Sequence, residues 1–185
     1  MHSPAASLRL FFSPHRLRLA ALLTTVSLCA MPAGAQDFDA AQALWLQGQK
    51  TQALQTVQAA LALNPNDAKL RFAQAVMQME LGQASQAEAG LLALTQDYPD
   101  LADPFNNLAV LYAGRGELDL AHAALEQAVR LQPEHAQAQE NLGDVLLRMA
   151  ARAYGLALKH GSGDTSTLQL KLSRLESPVR AAAPR

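Results

Sequence analysis

From residue 37 onward the apolar side chains fall three and four apart, the spacing that gathers them on one face of a helix. Phe105, Leu108, Ala109, Leu111 and Tyr112 form one such stripe, and Leu118, Ala121, Leu125, Ala128 and Val129 form the next. Gly114-Arg115-Gly116 separates the two stripes. Pro133 closes the second, because proline has no amide hydrogen and clashes with the preceding helical turn. This order occurs three times: Gly48, Gly82 and Gly116 are spaced by 34, as are Ala53, Ala87 and Ala121, and Pro65, Pro99 and Pro133. A period of this length predicts stacked helix pairs, each unable to bury its apolar side alone.

Each recurring position has a physical reason. Glycine after a helix takes a positive φ without a Cβ clash, so the chain reverses within a short loop. Alanine at 53, 87 and 121 gives the second helix of each pair a flat spot that the first can approach closely. A fourth unit starts in phase, since Asn141-Leu142-Gly143 follows Asn107-Leu108-Ala109 by 34. It then drifts, with Ala150 in place of the glycine, Gly155 in place of the alanine and Thr167 in place of the proline. With no breaker between Glu134 and Ala153, one long helix is expected over about 135–160, ending at Gly161. A last helix carrying Leu168, Leu170, Leu172 and Leu175 with Lys171 and Arg174 is expected over 165–176 as a cap with one face to water.

The pattern resembles the tetratricopeptide repeat (TPR) family, whose signature runs Gly, Ala, a large apolar residue four later, and a closing Pro. Those places hold Gly48, Ala53, Val57, Pro65; Gly82, Ala87, Leu91, Pro99; and Gly116, Ala121, Leu125, Pro133. The family's small residue in the first helix is Ala41, Ala75 and Ala109, whereas its aromatic three later appears only as Tyr112, with Leu44 and Gln78 in the first two units. The resemblance implies an all-α, right-handed α-solenoid of TPR hairpins over 36–176. Its repeats are expected at about 37–67, 68–101 and 102–135, followed by a degenerate fourth at 136–163 and the cap at 165–176.

The first 35 residues change the picture of where the chain works. Arg9, Arg16 and Arg18 precede the apolar run Leu19 to Ala30, and small residues at Ala33 and Ala35 follow Pro32. This reads as a secretory signal cleaved after Ala35. The run of 12 is short of the roughly 20 apolar residues that a membrane span needs. Leu28 before Cys29 does not suit a lipid-attachment motif, and Arg16 and Arg18 are not adjacent, so the general secretory route to the periplasm is expected. The remaining 150 residues hold no cysteine, hence no disulfide and no thiolate chemistry. They carry 12 basic and 16 acidic residues, an excess of acid that repels phosphate backbones and argues against a nucleic-acid partner. Residues 177–185 are expected to be a flexible tail.

No catalytic, metal or cofactor constellation emerges. His122, His135 and His160 read as isolated surface residues of helices. The segment His160-Gly161-Ser162-Gly163-Asp164 holds the residue types of a hydrolytic triad, but neighbours in sequence cannot form the relay, and the G-x-S-x-G elbow is absent. Instead His160 and Gly161 end one helix, and Asp164 or Ser166 opens the next.

What the resemblance adds is a concave face lined by the first helix of each unit. The positions matching that face are Phe38, Gln42 and Trp45; Lys69, Phe72, Val76 and Met79; Asp103, Asn106 and Val110; and Gln137, Glu140 and Asp144. Asn107 and Asn141 match asparagines that, in some TPR proteins, line up along a bound peptide, since an amide both donates and accepts. Alternatively they bond a neighbouring helix or their own turn; Ala73 interrupts the series. Trp45 and Phe72 fit either the core or the groove. The lysines and arginine of the family's carboxylate clamp are absent in both possible frames, whose places hold Phe38, Gln42, Ala73, Asp103 and Asn107, or Phe72, Val76, Asn107, Gln137 and Asn141. The expected function is a non-enzymatic adaptor for a protein or peptide in the bacterial cell envelope, with no membrane anchor once the signal is removed. The alternative is a regulatory or targeting subunit of a peptidoglycan or secretion enzyme. Self-association is a further option, because the apolar first unit loses part of its first helix to the signal and so calls for a partner surface as a cap.

Overall fold

The computed structural model describes residues 33–161 and 164–176, which all fall in one compact unit, Met31–Arg185. Among them are eight helices and no strand: α1 (Ala33–Leu46), α2 (Lys50–Leu63), α3 (Ala68–Glu80), α4 (Ala84–Asp97), α5 (Ala102–Gly114), α6 (Leu118–Leu131), α7 (Ala136–Lys159) and α8 (Thr165–Glu176). The parts of the expected signal before Ala33, and the expected tail 177–185, lie outside the described residues. The first three residues of α1, Ala33 to Ala35, precede the expected cleavage point.

The 34-residue period is written into the helix ends. Helices α2, α4 and α6 start at Lys50, Ala84 and Leu118, and each runs for 14 residues. Before each stands a glycine in the left-handed region, with φ of 79°, 74° and 78° at Gly48, Gly82 and Gly116. Each of these helices ends two residues before a proline, and the residue between is its cap. Asn64, Tyr98 and Gln132 take φ near −135° there, because the proline ring excludes the helical conformation from its predecessor. One residue type starts the return and another stops it.

The fourth unit shows what happens without the first of these. At Ala150, where the glycine would stand, a positive φ would push Cβ against the backbone, so the helix runs on and α7 reaches 24 residues. It ends at His160 and Gly161, the latter at φ 67°. Asp164 then opens α8: its Oδ1 accepts from the Ser166 amide at 3.0 Å and the Thr167 amide at 3.4 Å, while the hydroxyls of Ser166 and Thr167 donate to its two oxygens at 2.6 Å each. Helix α8 folds back on α7.

No hairpin has a core of its own. One apolar cluster joins Ala41 of α1, Ala53 and Val57 of α2, and Leu70 and Met77 of α3. A second joins Ala75, Leu91, Leu94 and Leu108 across α3, α4 and α5. A third joins Ala109, Ala121, Leu125, Ala138 and Val145 across α5, α6 and α7. Every cluster thus spans a boundary between units, the arrangement in which each unit is stabilised by its neighbours. Ala53, Ala87 and Ala121 are wholly buried, as the flat-spot argument requires, and so are Val57, Leu91 and Leu125 one turn on.

Ion pairs cross the same boundaries at the surface. Arg115 donates to both carboxylate oxygens of Glu88 at 2.8 and 3.1 Å and to Glu117 at 2.8 Å. Arg152 grips Asp119 at 2.8 and 3.1 Å, and Lys50 reaches Glu80 at 3.4 Å. Hydrogen bonds from Arg115 and Arg152 hold the Glu117 and Asp119 carboxyls below their ordinary range. Exposed pairs of this kind contribute at most about 1 kcal/mol each, so the apolar clusters carry the stability.

Three outcomes follow from this construction. Gly82→Ala places Cβ in open space, so its whole effect is the left-handed φ, a loss of about 1–2 kcal/mol read as a lowered urea midpoint at unchanged slope. Ala87→Phe at the buried contact is expected to lower stability by about 1–3 kcal/mol through overpacking. Asp164 is held at a pKa of about 2, first by the Ser166 and Thr167 hydroxyls. A depressed carboxyl pKa gives stability that is full above the unfolded value near 4 and is lost as pH falls through about 2. Carboxyl NMR titration and far-UV circular dichroism should therefore show α8 loosening only in that window.

Candidate peptide-binding grooves

Because α3, α5 and α7 start 34 residues apart, a given place on one first helix is repeated on the next. Two open grooves lie along these shared places. The N-terminal groove, about 410 Å³, lies between α1 and α3 and is lined by Phe38, Gln42, Trp45, Lys69, Phe72, Ala73, Val76, Met77 and Glu80. The C-terminal groove, about 520 Å³, lies between α5 and α7 and is lined by Ala109, Val110, Ala113, Gly114, Asn141, Asp144, Val145, Leu147 and Arg148, with Leu125 of α6 and Leu175 of α8. Val76, Val110 and Asp144 share one register, and Glu80, Gly114 and Arg148 share another, so both grooves open on the same face of the stack.

Their chemistry differs. In the N-terminal groove three aromatic rings provide the walls, and Trp45 and Phe72 also pack against the neighbouring apolar clusters, so each belongs to core and groove at once. Lys69 stands at the rim with its ammonium 3.6 Å from the centre of the Phe38 ring, a cation–π contact. Lys50 lies 4.9 Å from the centre of the Trp45 ring while it pairs with Glu80.

The C-terminal groove is organised by amides. Asn141 Nδ2 donates to Asn106 Oδ1 at 2.8 Å, and Gln137 Nε2 donates to Asn141 Oδ1 at 3.2 Å. Asn106, 6% exposed, therefore faces its neighbour helix rather than solvent. Asn107 turns back along its own helix and donates to the Asp103 carbonyl at 3.3 Å. Of the expected binding residues, Trp45, Phe72 and Val76 come together in the first groove, and Val110 and Asn141 in the second. Asn106 supports Asn141 from beneath, and Asn107 lines neither groove.

Other residues escaped the sequence reading. Glu80, Leu147 and Arg148 were accessible from the period, since they repeat places next to those singled out. Leu175 carried no such signal, because its position depends on how α8 folds back. His135 is also not the isolated surface residue expected. Its Nδ1 accepts the Ala138 amide at 3.3 Å, capping α7, which leaves the proton on Nε2 to donate to Asp103 Oδ1 at 2.9 Å. His122 Nδ1 lies 3.8 Å from Glu126 one turn along α6. Among the described residues, no three His, Cys, Asp or Glu side chains gather to hold a metal ion.

Comparison with solved structures places this architecture. MamA from Desulfovibrio magneticus RS-1 superposes with a TM-score of 0.56 at 20% identity, over 82% of this chain and 78% of that one. YrrB, described as a TPR protein with an unusual peptide-binding site, gives a TM-score of 0.54 at 30% identity, over 60% of this chain and 57% of that one. The Yersinia enterocolitica type III secretion chaperone SycD, in complex with a peptide of the translocator YopD, gives 0.57 at 17% identity, over 62% and 93%. No curated protein matches the chain. The tetratricopeptide repeat profile matches residues 38–102 and 106–162, and with the glycine turns and proline stops at its 34-residue period this chain belongs to the tetratricopeptide repeat family.

Proposed function

We propose that this chain is a non-enzymatic scaffold that binds a segment of a partner protein along its first helices, and that it does so in the bacterial cell envelope. The observation that carries the reading is the pair of grooves in shared register, one walled by aromatics and one floored by small apolar groups around a fixed amide. Both are open, so an occupant can run from one to the other. YrrB and SycD, whose descriptions mention a peptide site and a bound peptide, support this use of the fold. The envelope location rests on the expected signal in residues 1–35.

The test is capture of partners by crosslinking in the periplasm of the source cell, comparing the native chain with groove variants of retained helicity. Val76→Lys and Val110→Lys place a cation in each groove at half-buried and exposed sites respectively and are expected to reduce capture at least about tenfold. Undiminished capture by both variants would refute the groove as the binding surface. Asn141→Ala is unsuited to this purpose: it strips the buried Asn106 oxygen of its donor and is expected to lower folding stability by about 1–3 kcal/mol, measurable by urea unfolding.

A further inference from the structure

Helix α8 closes the stack without taking the place of a fourth second helix. In the first three units the small residue of the first helix, Ala41, Ala75 or Ala109, is at most 1% exposed in the cluster it shares with its own second helix. Gly143 holds that place in α7 and is exposed, with open space where a Cβ would stand. One turn on, Leu44, Gln78 and Tyr112 are at least half-buried, whereas Leu146 at the same place is 46% exposed. Helix α8 lies elsewhere on α7: Lys171 stands over the Tyr154 ring, and Leu175 reaches the groove lined by Asp144, Leu147 and Arg148. The vacated seat continues toward α6 as an open cleft of about 400 Å³ lined by Leu142, Val129, Glu126 and Arg130.

We infer that a second copy of this chain fills the seat, α7 against α7 and antiparallel about a twofold axis, so that each α7 serves as the second helix that the other's fourth unit lacks. Leu146 lies on one side of α7 with Gly143, Ala150, Ala153 and Ala157, at the three-and-four spacing of a helix seam. A twofold contact uses the same surface on both copies, so the seam must match itself when reversed. It does: with Gly143 of one copy opposite Ala153 of the other, Leu146 falls opposite Ala150. Each layer pairs a residue with a small partner, which lets the axes approach to the lower end of the usual range of about 8–10 Å. Neither first-helix groove uses Gly143, Leu146 or Ala150, so the dimer leaves both grooves open. This is the far end of the stack from the first unit, where the sequence placed the need for a partner surface.

Charge selects a second copy and sets its direction. Residues 36–144 carry 5 basic and 14 acidic side chains, whereas residues 145–185 carry 7 basic and 2 acidic. Reversing the second α7 lays the basic end of each copy along the acidic body of the other, while a parallel pairing sets like charges together. At the two ends of the seam Lys159 of one copy comes within one turn of Glu134 of the other. Both are exposed, and neither forms an ion pair among the described residues.

The test is sedimentation equilibrium on the chain from Gln36 onward, which holds the compact unit past the expected cleavage point and is expected to be a dimer. Leu146→Glu, at an exposed site, sets two unpaired carboxylates in the seam and should weaken dimerisation at least about a hundredfold at unchanged far-UV circular dichroism. Lys159→Glu should weaken it several-fold, and adding Glu134→Lys to the same chain should restore it. Orientation is read by disulfide trapping, since residues 36–185 hold no cysteine. A chain with Gly143→Cys mixed with one carrying Ala153→Cys should crosslink, and neither should crosslink with itself. A monomer at about 100 μM, a concentration at which even a weak specific dimer forms, would overturn the inference, as would a dimer indifferent to Leu146→Glu or self-crosslinking through Gly143→Cys. A seat that is empty in the isolated chain and filled by a helix of another protein would overturn it equally.

Discussion

The structure depends on apolar surface that no hairpin can cover by itself. Leu91 and Leu94 of α4 are wholly buried, yet the cluster that buries them takes Ala75 from the helix before and Leu108 from the helix after. Burial of one such leucine is worth about 1.5–3 kcal/mol, more than any of the surface ion pairs, so the free energy of the fold resides in the contacts between units. The face turned away from those contacts is left free by the same geometry. Its composition is under packing constraint only where a side chain serves both sides, as at Trp45, Phe72, Met77, Ala109, Leu125 and Val145.

Most of the architecture was legible because its causes are local. A glycine at positive φ and a residue forced out of the helix by a following proline act within a few residues, and a 34-residue repetition of both is visible without coordinates. The loss of the turn at Ala150 was legible for the same reason. The grooves were legible in part: a place identified on one helix recurs on the next, which brought Val76 into one groove and Val110 into the other. Asn107 was not, because two adjacent asparagines on one helix point about 100° apart, and the bond that selects Asn106 as the partner of Asn141 spans 35 residues. Leu175 and the His135 cap likewise depend on contacts between helices that no local pattern encodes.

Continuation of α7 through the missing turn changes how the stack ends. A regular fourth unit would fold back at residue 150 and present another helix pair, with another apolar side requiring cover. The unbroken helix instead carries the chain past α6, and the return is made by a shorter helix with polar residues on most of its surface. In α8 only Leu168, Leu172 and Leu175 are half-buried, at intervals of four and three that form a single stripe against α7. One such stripe is enough to terminate the series and too little to extend it.

The same termination shapes the second groove. Leu175 arrives there from the end of α8, so the element that closes the stack also supplies one wall of that groove. The first groove has no equivalent and is built from the two helices it separates, with aromatic rings where the second has aliphatic groups and an amide network. A ligand placed along the face therefore meets bulk and a cation at one end, and shallow apolar floor with a fixed donor and acceptor at the other. Such a surface is polar in direction as well as in composition, since reversing the ligand would exchange the partners at both ends. Direction, more than depth, is what four first helices in shared register gain from varying the residues at shared places.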